Sequence, residues 1–170
     1  MLYRLSYQPE NFSFPNIPIE CKIARLFHYP SMSLVLLFGS FDILHDGHRD
    51  LFRQAKELGK SLHIILARDE TIQVVKKRAP YYGAEVRKHH LEMEPLVDMV
   101  HMGSLGDKYA LAQRLEPDVI LLGYDQEAFI PGLFEEITTW SKVPRIERAL
   151  PYKEGFCKSS LLRAAMETEE

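Results

Sequence analysis

The sequence predicts an α/β fold: a doubly wound parallel sheet of about five strands with helices on both faces. Three observations predict it. Short apolar runs alternate with helix-period segments from Leu34 onward, the pattern of a parallel sheet covered on both faces. Right-handed crossovers between such strands produce a doubly wound sheet. The most distinctive segment, residues 38–48 (Phe-Gly-Ser-Phe-Asp-Ile-Leu-His-Asp-Gly-His), follows the first apolar run, where ligands bind in folds of this class.

The elements follow in order. Residues 34–38 read as the first strand. A helix over about 47–58 ends at Gly59. Residues 61–67 form a second strand, and Arg68 to Lys77 reads as a short helix or loop with a basic end. Ala84 to Glu94 has helical character, Val97 to Met102 is a third strand, and a Gly-Ser-Leu-Gly turn follows. Asp107 is placed to cap a helix through Leu115, which Pro117 stops. Residues 118–123 are a fourth strand. A helix over about 131–141 leads to a short strand near Val143 to Ile146, and a last helix spans about Ser159 to Met166.

Residues 1–31 are of a different character, with Pro9, Pro15, Pro18 and Pro30 and no sustained period. Their aromatic content argues against low-complexity disorder. They read as an irregular extension of unknown role ahead of a single domain over 32–170, with Met32 an alternative translation start. The full chain of 170 residues suits one domain with a substantial core. Its net charge of −3 gives no reason to expect nucleic acid or an anionic membrane as partner. No apolar run approaches the roughly 18 residues of a membrane span, and the first residues lack the pattern of a secretory signal. Cys21 and Cys157 form no disulfide framework, so reduced thiols in a cytoplasmic protein are the simple reading.

The segment over 38–48 points to phosphate chemistry. The first N–H groups of a helix lack partners and carry the positive end of the helix dipole, so a strand-to-helix turn is an anion pocket. Here it is furnished with two imidazoles, His45 and His48. Gly47 between them lets a phosphate approach the backbone. A dinucleotide fingerprint would need Gly-x-Gly-x-x-Gly, and a phosphate loop would need Gly-Lys-Ser/Thr. Neither is present, so hydride transfer and P-loop hydrolysis are poorly supported.

The His-x-Gly-His pattern at a helix start, preceded by Gly39-Ser40-Phe41-Asp42, resembles the nucleotidyltransferase superfamily of cytidylyltransferases and adenylyltransferases. Ser40 replaces the usual threonine and keeps its hydroxyl. The resemblance extends over about residues 34–166. It includes Ala84-Glu85-Val86-Arg87 at a helix start, Gly123-Tyr124-Asp125-Gln126 after the fourth strand and Lys158-Ser159-Ser160 at the last helix. Leu66-Ala67-Arg68-Asp69 and the run from Pro117 to Gln126 look like archaeal-type FAD synthases. Tyr152-Lys153-Glu154-Gly155 is similar to the Arg-Thr-Glu-Gly of glycerol-3-phosphate cytidylyltransferases, without its arginine.

That resemblance implies a Rossmann-like domain transferring AMP from ATP to FMN, giving FAD and pyrophosphate without a covalent enzyme intermediate. His45 and His48 would be catalytic, donating to the α- and β-phosphates. Phe38, Gly39, Ser40, Phe41, Asp42, Gly47, Gly123, Asp125, Ser159 and Ser160 would line the nucleotide. Lys77 and Arg87 are candidates for further phosphate contacts. Mg²⁺ or another divalent cation would arrive with ATP, with no dedicated protein metal site. Partners would be small molecules, together with a homodimer of the kind relatives form. A cytidylyltransferase using CTP and a small phosphorylated alcohol such as glycerol 3-phosphate is the alternative. A non-catalytic nucleotide-binding module is the reading from another class.

Plainer roles stand beside these. Asp42 could bond its own turn rather than meet a cation. Lys76, Lys77 and Arg78 could be a solvated charge run, and Arg87 could lie on an exposed helix face. Tyr124 could stack on a base or flavin, or anchor its loop. His63 reads as packed or edge-facing, His89 and His90 point in different helical directions, and zinc held by His45, His48 and His101 is disfavoured.

Overall fold

The computed structural model describes residues 33–127, 130–152 and 163. The extension over 1–31, the last helix apart from Arg163, and the serines Ser159 and Ser160 lie outside the described residues. Five strands, β1 (Leu34–Gly39), β2 (Ser61–Leu66), β3 (Met99–Met102), β4 (Val119–Leu122) and β5 (Arg145–Arg148), form one sheet in the order β3-β2-β1-β4-β5. All four pairings are parallel. The chain builds outward from β1 to β3, then returns to the other side of β1 with β4. The switch in strand order therefore lies between β1 and β4, and a crevice opens there at the carboxyl ends.

The intervening helices are α1 (Asp46–Leu58), α2 (Asp69–Lys76), α3 (Ala84–Glu92), α4 (Ala110–Leu115) and α5 (Ile130–Ile137). Alternating side chains of the strands feed two separate cores. On one face Val35, Leu37, Leu62, Ile64 and Leu121 pack with Phe52 and Ala55 of α1 and Leu91 of α3. On the other, Leu36, Phe38, Ile65, Ile120 and Leu122 pack with Ala112 of α4, Leu133 and Ile137 of α5, and Trp140. The inner strands β1, β2 and β4 thus contribute to both cores, as their apolar runs require.

Element ends differ from the sequence expectation for local reasons. β5 begins two residues later than Val143, because Pro144 has no N–H to give to the ladder. The helix expected from Asp107 starts at Ala110, yet Asp107 still caps it: its Oδ1 accepts from the N–H groups of Tyr109 (2.9 Å) and Ala110 (3.0 Å). α5 stops at Ile137 rather than 141. The hydroxyls of Thr138 and Thr139 donate to the carbonyls of Glu135 and Glu136, competing with helical continuation. No described helix is long and apolar enough to cross a membrane.

Candidate active site

The turn from β1 into α1 is built around Phe41. Its φ of 42° lies in the left-handed region that residues with a Cβ avoid, so the conformation is held by packing. The Phe41 ring folds back over Gly39, where an added Cβ would lie 2.5 Å from Cε2. It also meets His48 edge-on at 5.1 Å and Phe52 at 5.5 Å. Gly39 is therefore needed for the room it leaves above it, and the ring it admits is one wall of the His48 site.

His45 is the N-cap of α1, and its Nδ1 accepts the Gly47 N–H at 3.1 Å. That bond places the ring proton on Nε2, leaving Nε2–H as a donor away from the cap. His48 stacks on His45 with centroids 3.8 Å apart and planes 23° apart. Its Nδ1 edge is buried, the Ile43 backbone lies against the ring, and the ring lines the cleft. Burial pushes the His48 imidazole down to about 3, with His45, Lys76 and Arg49 acting in the same direction and the Ile43 backbone opposing them. Burial also lowers His45, against the upward pull of Asp46 and Asp125. Both shifts favour the neutral imidazole in the free protein. A phosphate brought against them reverses the balance, because an adjacent anion favours the imidazolium.

These residues open onto a cavity of about 610 Å³ at the switch point. Phe38, Gly39, Ser40, Phe41, His45, Gly47, His48, Gly123 and Asp125 all line it, so nine of the residues singled out from the sequence converge on one cleft. Its basic side chains, Arg68, Lys76, Arg78 and Lys108, outnumber its acidic ones, Asp125 and Glu127, a balance suited to a polyanion. Lys76 Nζ donates to Ser40 Oγ at 2.7 Å, which carries its ammonium to the β1 turn. Burial depresses its pKa, partly offset by Asp42 and Asp125.

Three candidates are placed elsewhere. Lys77 is the left-handed C-cap of α2 (φ 57°), exposed and away from the cleft wall, so its neighbour Lys76 occupies the position expected of it. The periodicity carries this signal: Lys76 lies four residues after buried Ile72, on the same helix face. Arg87 is fully buried and lies beneath the cleft rather than in it. Its guanidinium donates to the carbonyls of Tyr82 (2.9 Å), Ser40 (2.6 Å) and Ala67 (2.8 Å) and to Asp69 Oδ1 (2.6 Å). With these donors engaged, it ties the β1 and β2 turns together and has no face to offer a phosphate. Asp42 is buried as well. Its carboxylate accepts from the N–H groups of Tyr81 and Tyr82 at 2.8–2.9 Å, which pins the 81–82 loop and leaves it poorly placed for a cation.

Arg148 was not anticipated. From the end of β5 its Nη1 donates to the carbonyls of Gly123 (2.8 Å), Tyr124 (3.1 Å) and Gln126 (3.1 Å), fixing the loop that carries Asp125. An arginine just beyond the last expected strand, at the carboxyl edge of the sheet where ligands bind, is the signal that could have marked it. His101 pairs with His63 across β2 and β3 (Nε2···Nδ1 3.2 Å) instead of joining His45 and His48. No group of three metal-binding side chains occurs among the described residues.

A cytidylyltransferase-like family model matches residues 36–165. A FAD synthase of Thermococcus onnurineus (strain NA1) is 39% identical over 139 residues, 79% of this chain and 91% of that protein. A FAD synthase of Pyrococcus abyssi (strain GE5 / Orsay) is 41% identical over 128 residues, 74% of this chain and 86% of the other. The FAD synthase of Thermococcus kodakarensis reaches 44% over 104 residues, 61% of this chain and 70% of its own length. Among solved structures, a lipopolysaccharide core biosynthesis protein from Thermoplasma volcanium GSS1 superposes with a TM-score of 0.67 at 31% identity, over 72% of this chain and 99% of that one. The matched span holds the stacked histidines, the switch-point cleft and the Arg148-clamped loop together, and the chain belongs to the cytidylyltransferase-like family.

Proposed function

We propose that this protein is an FMN adenylyltransferase: it transfers AMP from MgATP to the phosphate of FMN, forming FAD and releasing pyrophosphate. The observation that carries the chemistry is the His45–His48 stack at the mouth of α1, with the His45 Nδ1 engaged by the Gly47 N–H and the His48 Nδ1 buried. The acceptor is supported by relatives named FAD synthase at 36–44% identity.

In this reading an oxygen of the FMN phosphate attacks the α-phosphorus of ATP in line, forming the new P–O–P bond as the bond to the β-phosphate oxygen breaks. The proteins of such reactions act mainly by positioning and charge neutralisation. His45 and His48 donate from Nε2 to the α- and β-phosphates and take on positive character as charge builds on the bridging oxygen. Gly47, with no side chain and its N–H engaged by His45, lets phosphate oxygens approach the positive end of α1, and Lys76 neutralises charge from the α2 side. Gly123 and Asp125, on the loop held by Arg148, face the nucleoside. The divalent cation enters as part of the substrate, since Asp42 is engaged by backbone N–H groups. Residues 32–170 form the catalytic domain, Ser159 and Ser160 meet the departing phosphates, and the enzyme acts in the cytoplasm as a homodimer.

The test supplies FMN or glycerol 3-phosphate with ATP or CTP and separates the products by chromatography. We expect FAD from FMN and ATP. Product only from CTP and the polyol phosphate would replace this reading by the cytidylyltransferase one. No product, with nucleotide bound, would leave a binding module.

A further inference from the structure

Resting on the flavin reading, we propose that Arg68 and the apolar wall beside it form the subsite for the acceptor's ring, Arg68 donating to the carbonyl edge of the isoalloxazine. Arg68 lines the cavity, and its Nε donates to the Gly103 carbonyl at 2.7 Å. That carbonyl follows β3, and the backbone there is tight: Gly103 N–H donates to Leu66 O at 2.9 Å, and a Cβ on Gly103 would sit 3.1 Å from that oxygen. One edge of the guanidinium is therefore fixed to the rigid end of the sheet. Among the described residues its Nη atoms hold no hydrogen bond or ion pair, so the donor fork remains for a ligand.

Location selects which part of the acceptor this is. β3 lies two strand spacings from β1, roughly 10 Å, while the reacting phosphates belong at the β1 turn with His45 and His48. Phosphate at the turn and ribityl chain across β2 bring the ring, not the phosphate, to Arg68. The wall supplied there is apolar: Ile65 and Ile72 are buried, and Val75 of α2 lines the same cavity although 52% exposed to solvent. A flat heteroaromatic ring covers such a surface and presents carbonyl oxygens at its rim to a guanidinium.

Riboflavin, which has the ring and no phosphate, separates the alternatives. Its binding and that of FMN are followed by flavin fluorescence in the full-length protein, for the unaltered chain, Arg68→Ala and Val75→Glu, with MgATP affinity measured alongside. We expect Arg68→Ala to weaken riboflavin and FMN by the same factor, about tenfold or more for a lost charge-assisted hydrogen bond, with ATP affinity within twofold. Val75→Glu, at an exposed position that spares the core, should also weaken both flavins. Loss of FMN but not riboflavin affinity in Arg68→Ala would overturn the proposal by placing Arg68 on the phosphate. Unchanged flavin binding in both variants would overturn it outright. If the unaltered protein binds neither flavin yet transfers nucleotide to another phosphate, the flavin reading itself fails.

Discussion

Replacing Arg87 by methionine keeps much of the side-chain volume and removes every donor. The structure makes Arg87 a buried hub, fully inaccessible to solvent, with hydrogen bonds to three carbonyls and one carboxylate. The variant strands the carbonyls of Ser40, Ala67 and Tyr82 and leaves Asp69 without its cation. Asp69 is 43% exposed and rehydrates, so its share is small. Each buried carbonyl left without its donor costs about 1–3 kcal/mol, so the three together cost about 3–5 kcal/mol at the lower end of that range. With a urea slope of about 2 kcal/mol/M, the unfolding midpoint falls by about 2 M. Arg87→Lys should recover only part of this, since an ammonium cannot span four acceptors in a planar fork. The assay is urea unfolding followed by circular dichroism, paired with ATP binding below the transition. A midpoint shift under about 0.5 M together with a large loss of ATP affinity would refute the structural assignment and restore Arg87 as a phosphate ligand.

Other expectations concern the same turn. An unfolded histidine takes up a proton near pH 6.5, whereas folded His48 resists it until about 3, so stability is fully present above pH 6.5 and falls as pH drops from there toward 3. The slope from this one group is up to about 1.4 kcal/mol per pH unit. Urea midpoints at pH 7.5 and 5 should differ less in His48→Asn than in the unaltered protein, and an equal difference would contradict the assignment. Gly39→Ala forces a methyl group into the Phe41 ring and should cost about 1–3 kcal/mol, read as a lowered Tm, with the His48 wall disturbed and turnover reduced. Lys76→Met should cut kcat/KM for ATP by about tenfold or more, while Lys77→Met stays within twofold. The reverse order would show that Lys77 is the phosphate contact.

Much of this fold was legible because its strands are continuous apolar runs that no solvent-facing element could carry. Leu34 to Phe38 and Val119 to Leu122 signal double burial directly, and the helices between them follow. The His-x-Gly-His segment was equally legible, since its residue types and spacing suit little besides an anion at a helix start. What stayed hidden depends on contacts distant in sequence. Asp42 reaches 39 residues on to the Tyr81 N–H, Arg87 reaches back 47 to the Ser40 carbonyl, and Arg148 closes on a loop more than 20 residues earlier. A charged residue whose partners are backbone carbonyls leaves no mark in composition. Helix phase, however, was available: Arg87 and Leu91 are four residues apart, and both are fully buried.

The most direct measurement is single-turnover formation of FAD from saturating MgATP and FMN, comparing the unaltered protein with His48→Asn and determining ATP affinity for both. We expect FAD from the unaltered protein and, in the variant, a chemical step slowed by about a hundredfold or more, with ATP affinity changed only a few-fold. No FAD from the unaltered protein, or a variant that loses ATP affinity and rate in equal small measure, would contradict nucleotidyl transfer to FMN by the stacked histidines.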